Sequence, residues 1–369
     1  MTLHLDRISL SGFKSITKME LDLGDLNVLI GANGAGKSNF IGVFSLLGQL
    51  VERRLEFFIA QAGGPDAILT NGRQHTERLT IDLAFKMNGY TAIFQPSSAD
   101  ELIFEAEVCR FHDSDRYPEP LKVPLKPDEV LGAGHKETLL HERSAGRPIV
   151  KRVLAAMQGW KVYHFHDTSR TAKVKQLGDI DDNAALRADA GNLAAFLLVL
   201  RERHEARYRQ IVETVRLAAP FFDDFQLRPD PRNEQKIRLE WRARDTDAYF
   251  NAHALSDGTL RFICLVTLLL QPQVPAVVVV DEPELGLHPY AVTLLASLLR
   301  AASKRAQVIV STQSVSLVNQ FEPEDIVVVD RGPQGSEFRR LTTTEIAQWL
   351  EEYSLGELWE KNIFGGRPR

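Results

Sequence analysis

The residues best suited to chemistry are the eight at 31–38, "GANGAGKS", which fit G-x-x-x-x-G-K-[ST] at every fixed position. Gly31, Gly34 and Gly36 let the backbone curl until its N–H groups face phosphate oxygens, and the helix that follows adds its positive N-terminus. Lys37 is placed to bind the β and γ phosphates, and Ser38 to offer a hydroxyl to Mg²⁺. Asn33, Gly34, Ala35, Gly36, Lys37, Ser38 and Asn39 together form the candidate cradle for a nucleotide, with ATP and Mg²⁺ as the expected cofactors.

A second group lies far downstream. Residues 276–282, "AVVVVDE", read as a buried strand ending in two acids. Asp281 suits a metal-holding carboxylate, and Glu282, one residue further, suits a base that orients or deprotonates water attacking a γ-phosphate. The stretch "LSDGTLRF" at 255–262 begins a helix whose N-cap is Ser256.

These residues need elements to hold them. "LHLDRISL", "MELDL" and "LNVLI" alternate as strands, with a turn at Gly12 between the first two, and "KSNFIGVFSLLGQLVERRL" has helical spacing, so strand, loop and helix follow in the order a phosphate loop needs. "RLTIDLAF", "YTAIFQ" and "ELIFEAEVCRF" read as antiparallel strands within 78–112, with Asn88-Gly89 as a hairpin turn. Pro118, Pro120, Pro124 and Pro127 mark an irregular excursion. From about 136 to 219 the pattern is mostly helical, with one clear helix at "NLAAFLLVLRERHEARYRQIVETVRLAA", and strands return at 224–243. The C-terminal third alternates strand and helix, which predicts a mostly parallel sheet shared with the N-terminal loop. Three segments follow: 1–112, the N-terminal part of a head with the phosphate loop and a β-lobe; 113–245, an inserted and mostly helical lobe; and 246–369, the C-terminal part of the head.

Composition narrows the partners. The chain has 369 residues, 44% hydrophobic and 25% charged, with net charge −5 and pI near 6.1, which argues against coating nucleic acid through bulk charge. Its two cysteines, Cys109 and Cys264, have no metal-ligand spacing and fit a reducing compartment. No apolar run reaches the roughly 18 residues of a membrane span. The early charges of "MTLHLDRISL" leave no signal-peptide core, so a cytoplasmic protein is expected.

With these motifs in view, the chain resembles an ABC-class ATPase of the SMC, RecF and OLD type. The likeness rests on the phosphate loop, on "AVVVVDE", on "GFKSI" at 12–16, on "ELGLHP" at 284–289 and on "LSDGTLRF". It implies an α/β fold: an ABC-type P-loop NTPase head with a mixed sheet, an antiparallel β-lobe and an inserted helical lobe. It also implies that Ser256 and Gly258 stand at the signature positions that engage the γ-phosphate held by an opposite subunit. Asp257 and Thr259 depart from that pattern. The class carries a switch histidine where "IVSTQS" places Gln313, which can donate a hydrogen bond to a γ-phosphate but cannot titrate. For the glutamine that the class carries on its strand-rich lobe, Gln74 and Gln95 are both candidates. "YHFHDTS" and the tail "LGELWEKN" resemble compact bacterial ATPases associated with anti-phage defence or genome maintenance and repair.

Two motifs keep several readings. "HFHDTSR" at 164–170 fits a metal site, a nucleotide- or partner-contacting loop, or a capped turn. "RERHEARYR" at 201–209 fits a nucleic-acid contact or a solvated helix face with internal Glu–Arg pairs. The function expected is an ATP-hydrolysing switch that forms a head-to-head homodimer around ATP and controls DNA engagement or a separate effector protein, a nuclease or toxin. The alternative is a regulatory binding module, without turnover, that holds such a partner inactive. A transporter motor fits poorly with the long insertion, "LHP" and Gln313. An OLD-type nuclease fits poorly because too short a stretch follows Asp330 for a Toprim domain.

Overall fold

The computed structural model describes residues 4–111, 129–244 and 246–367. The four prolines of the expected excursion lie outside the described residues. A central six-stranded sheet runs in the order Gly335–Arg340, Ile326–Gly332, Leu26–Ile30, Gln307–Thr312, Val277–Asp281, Trp160–Tyr163. Its strands are parallel except Gly335–Arg340, which returns antiparallel to its neighbour. The sequence joins distant segments here as expected: the strand before the phosphate loop lies between two strands of the C-terminal third.

The apolar runs make this sheet's burial possible on both faces. Val28 and Ile30, Val278 and Val280, and Val308 and Val310 point into one core with the helices Leu193–Arg203, Glu205–Ala218, Asp257–Leu270 and Pro289–Ser303. Leu29, Val277, Val279, Ile309 and Val327 point the other way, into a core shared with the helix Lys37–Val51 and a second sheet. That second sheet is antiparallel, in the order Ile16–Asp22, Arg7–Phe13, Leu79–Phe85, Asn88–Pro96, Leu102–Phe111, Glu129–Gly132. Helix Lys37–Val51 is thus packed between two sheets, and its Phe40 and Phe44 are fully or almost fully buried, each burial stabilising the fold by about 1.5–3 kcal/mol. The expected mixed sheet and antiparallel β-lobe are both present.

Several local expectations are corrected. Asn88 and Gly89 are not the hairpin turn; they open a strand, and the turn is Lys86-Met87, with Lys86 at φ 46°. Asn88 is instead a buried residue of the ladder, paired with Phe111. The stretch read as mostly helical contains the strand Trp160–Tyr163, whose four residues are too few to show a period. The helix read across 192–219 breaks at His204, where φ −137° and ψ 48° end one helix and start the next. After the strand Gln307–Thr312 the alternation of strand and helix continues only as the single turn of helix Val315–Val318.

Candidate nucleotide site

The phosphate loop sits at the C-terminal end of Leu26–Ile30, and two of its glycines are required by contact. A Cβ on Gly31 would lie 2.2 Å from the Val329 carbonyl oxygen, and one on Gly36, at φ +123°, would lie 2.2 Å from Ser336 Oγ. Gly36 is also the N-cap of Lys37–Val51, without a side-chain cap and with no acid in the first turn. The helix therefore presents unpaired N–H groups and its positive end, which is what an anion needs. Asn33, Gly34 and Ser38 are exposed around this end, while Ala35 and Lys37 are buried.

Lys37 lies inside the loop, and its Nζ donates to the carbonyls of Gly31 (2.6 Å) and Ala32 (3.1 Å). Burial lowers its pKa, and the nearby carboxylates of Glu282, Asp281 and Glu284 oppose that shift. The ammonium is thus brought together with the acids of the distant motif. Asn39 is committed differently. Its side-chain amide donates to Ser15 Oγ at 2.7 Å, and Ser15 Oγ shares a 2.7 Å hydrogen bond with Ser336 Oγ. "GFKSI" therefore supports the loop through Ser15, and one N–H of the Asn39 side chain is engaged in that support.

Asp281 ends its strand beside Ser311, whose hydroxyl donates to the Asp281 carboxylate. Glu282 turns the chain with φ 40°, its N–H donating to the Ser311 carbonyl at 2.9 Å. Gln313, at the end of the adjacent strand, donates its side-chain amide to Glu282. Asp281, Glu282 and Gln313 are thus held at the same edge of the sheet as the phosphate loop.

Two residues of the site had no assigned role in the sequence. Glu284 accepts from the Thr312 hydroxyl and from the Gln313 N–H (3.2 Å), while its Oε2 is buried without a partner. Burial raises its pKa. Arg261, also buried, donates to the carbonyls of Phe165 (3.1 Å), His166 (3.2 Å) and Leu285. An arginine inside a run as apolar as "LRFICLVTLLL" is the signal that marks it, since a buried guanidinium needs partners.

Ser256 caps helix Asp257–Leu270, accepting from Thr259 N–H at 3.2 Å, and is exposed. Gly258 is pressed against the turn after the acids: a Cβ there would lie 2.1 Å from the Gly286 carbonyl oxygen. Asp257 faces Lys175 Nζ at 3.3 Å, and that lysine also donates to the Thr168 carbonyl. The carboxylate that departs from the signature pattern is therefore balanced from the "HFHDTSR" side.

"HFHDTSR" follows the strand next to Val277–Asp281. Asp167 Oδ1 accepts from Ser169 N–H at 3.0 Å, the geometry of a capped turn, and no group of three metal-ligating side chains occurs among the described residues. In "RERHEARYR", Tyr208 is buried with its hydroxyl donating to Asp224 at 2.7 Å, and Glu205 pairs with Arg209, as a solvated helix face requires. Gln95 lies within the antiparallel sheet opposite Ile103, and Gln74 is exposed in a loop. Neither is brought to the acids by a hydrogen bond among the described residues. No helix among them is long and apolar enough to cross a membrane.

Residues 26–319 match the family described as "AAA domain, putative AbiEii toxin, Type IV TA system". The chain belongs to this AAA-domain family. The family match spans the phosphate loop, Ser256, the acids and Gln313. Among solved structures, the chain is similar to an Smc head bound to the C-winged helix domain of ScpA: 17% identity, 94% of this chain and 99% of that one covered, TM-score 0.56. It is also similar to an Smc head with an extended coiled coil bound to the C-terminal domain of ScpA derived from Pyrococcus furiosus, at 16% identity, 95% and 99% coverage and TM-score 0.55. These likenesses show the fold: this AAA-domain protein is folded like an Smc head. A search of curated protein sequences gives no match.

Proposed function

We propose that this AAA-domain protein hydrolyses ATP as a molecular switch, dimerising head to head around the nucleotide to control DNA engagement or a separate effector. The observation that carries the reading is the convergence of three side-chain sets on one sheet edge. Strands Leu26–Ile30, Gln307–Thr312 and Val277–Asp281 are consecutive neighbours, and they end in the phosphate loop, Gln313 and the acids Asp281 and Glu282. The loop amides and Lys37 bind the phosphates, exchanging the Gly31 and Ala32 carbonyls for phosphate oxygens. Ser38 and Asp281 would hold Mg²⁺, which supplies positive charge to the β and γ phosphates. Glu282 accepts a proton from water as the water oxygen bonds to the γ-phosphorus and the bond to the β–γ bridging oxygen breaks, giving ADP and phosphate.

The dimer reading rests on the exposed face that carries Ser256, Leu285 and Tyr290; the latter two are each 50% exposed. A helix N-terminus beside an exposed apolar turn suits a γ-phosphate held by a second copy. The effector reading draws on the family's description, which names a toxin of a type IV toxin–antitoxin system. Association with anti-phage defence or DNA repair belongs to the same reading. One observation favours a second function. Gln313 already occupies Glu282, so the resting carboxylate has a partner, as in a module that binds ATP without turnover and holds a toxin or nuclease inactive. Steady-state ATP turnover of the purified chain, with and without duplex DNA, tests both. Turnover that Glu282→Gln removes is expected; tight ATP binding with no turnover under either condition favours the second function.

A further inference from the structure

We infer that the C-terminal tail, residues 354–366, is a positioning element that joins the phosphate loop to the segment carrying Gln313, with Asp330 and Asn319 as its two anchoring side chains. The inference rests on the nucleotide reading above and gives a role to "LGELWEKN" at 355–362, which that reading leaves unused. One end of the tail is the helix Leu355–Glu360, capped by Ser354 and Glu357. It packs against the turn of helix Val315–Val318, which begins two residues after Gln313. The approach is close enough to need a glycine: a Cβ on Gly356 would lie 2.6 Å from Val315 Cγ1 and 2.9 Å from the Val315 carbonyl oxygen. Gly356 N–H donates to the side-chain oxygen of Asn319, an exposed residue at the end of that turn.

The other end reaches the first glycine of the phosphate loop. Beyond the buried Trp359 the chain turns back at Asn362, φ 58°, and at Gly365 and Gly366, φ +85° and +67°. A Cβ on Gly366 would lie 3.5 Å from Gly31 Cα and 2.9 Å from Val328 Cγ1. Gly366 is held on both sides: its N–H donates to the two Asp330 oxygens, at 2.9 and 3.1 Å, and its carbonyl accepts from the Trp359 indole N–H. Arg339 Nη2 donates to the neighbouring Phe364 carbonyl at 2.9 Å. Gly31 is also the residue whose carbonyl accepts from Lys37 Nζ at 2.6 Å, so the tail bears on the backbone that orients the Lys37 ammonium. Between the two ends, Leu358 and Trp359 lie in one core with Leu317, Val318 and Ile30, the residue before Gly31. The tail therefore acts on the site through Gly31 at one end and through the segment that follows Gln313 at the other. A loop already held in its binding geometry loses less conformational freedom when the nucleotide arrives.

The test uses the full chain and the two anchors, both exposed, so that truncating them removes no core atom. Asp330→Ala should weaken ATP binding about fivefold while turnover at saturating ATP stays within about twofold; Asn319→Ala should lower turnover about fivefold while ATP affinity stays within about twofold. Asp330→Asn and Asn319→Asp each keep an acceptor oxygen and should recover most of the loss. A tail that only adds stability would lower the melting temperature of both alanine variants and leave affinity and turnover within about twofold; that result overturns the inference, as does an equal loss of affinity and turnover in both. If the unaltered chain binds ATP without turning it over, the affinity of Asp330→Ala decides alone. An unaltered chain that binds no ATP removes the nucleotide reading itself, and this inference with it.

Discussion

Glu282 and Glu284 are two residues apart and do opposite things. Glu282 is held at the sheet edge by Gln313, and replacing it by glutamine keeps shape while removing the carboxylate proposed to accept a proton from water. Glu282→Gln should leave ATP affinity near wild type and lower turnover by at least about 10²-fold, measured as phosphate release. Lys37→Ala should instead lose ATP binding, read by titration with a fluorescent nucleotide. Glu284 predicts a pH effect. Burial raises its pKa above the ordinary 4.5, so the folded chain binds this proton more tightly than the unfolded chain. Its contribution to stability is therefore greatest below the ordinary carboxyl value and declines as pH rises through the window above it. In Glu284→Gln the melting temperature relative to wild type should climb between about pH 4 and about pH 7, and a constant difference would show that Glu284 does not titrate in that window. At this scale the sequence was informative where chemistry follows spacing: the phosphate loop and the adjacent acids were legible. Glu284 and Arg261 were not, because their roles come from partners 28 and 96 residues away.

At the scale of elements, the signature helix and the turn after the acids form one unit. Gly258 lets the Gly286 carbonyl approach, and Arg261 binds Leu285 on one side and Phe165 and His166 on the other. Gly258→Ala should push that turn outward, leaving ATP affinity intact while reducing ATP-dependent dimerisation, as read by analytical ultracentrifugation. Arg261→Lys keeps the charge but cannot reach three carbonyls at once, and should lower stability by about 2–4 kcal/mol in urea melts. Elements with a long apolar period were legible in the sequence: the central strands, the helix at Lys37–Val51 and the helix at Asp257–Leu270. Those governed by tertiary context were not. Trp160–Tyr163 is a strand because Val277–Asp281 pairs with it, through Val277 opposite Trp160. The break at His204 and the turn at Lys86-Met87 are single-residue backbone choices that leave no periodic trace.

For the whole molecule, the expectation is a two-fold sandwich in which each copy gives its phosphate loop to one nucleotide and its Ser256 to the other. Ser256→Arg should bind ATP yet fail to dimerise or turn over. Mixing Ser256→Arg chains with Lys37→Ala chains should restore at most one of two composite sites, and full turnover by isolated monomers would show that one copy suffices. The order of the central sheet carries a further consequence, for synthesis on the ribosome. The strand that leads into the phosphate loop is made early, but both its neighbours come from the C-terminal third; Asn27 reaches the Val308 carbonyl across 281 residues. Parallel pairing over such a separation is slow to form and cannot begin until the later strand exists. A nascent chain therefore carries a phosphate loop with no central sheet to hold it until Gln307–Thr312 and Ile326–Gly332 have been made.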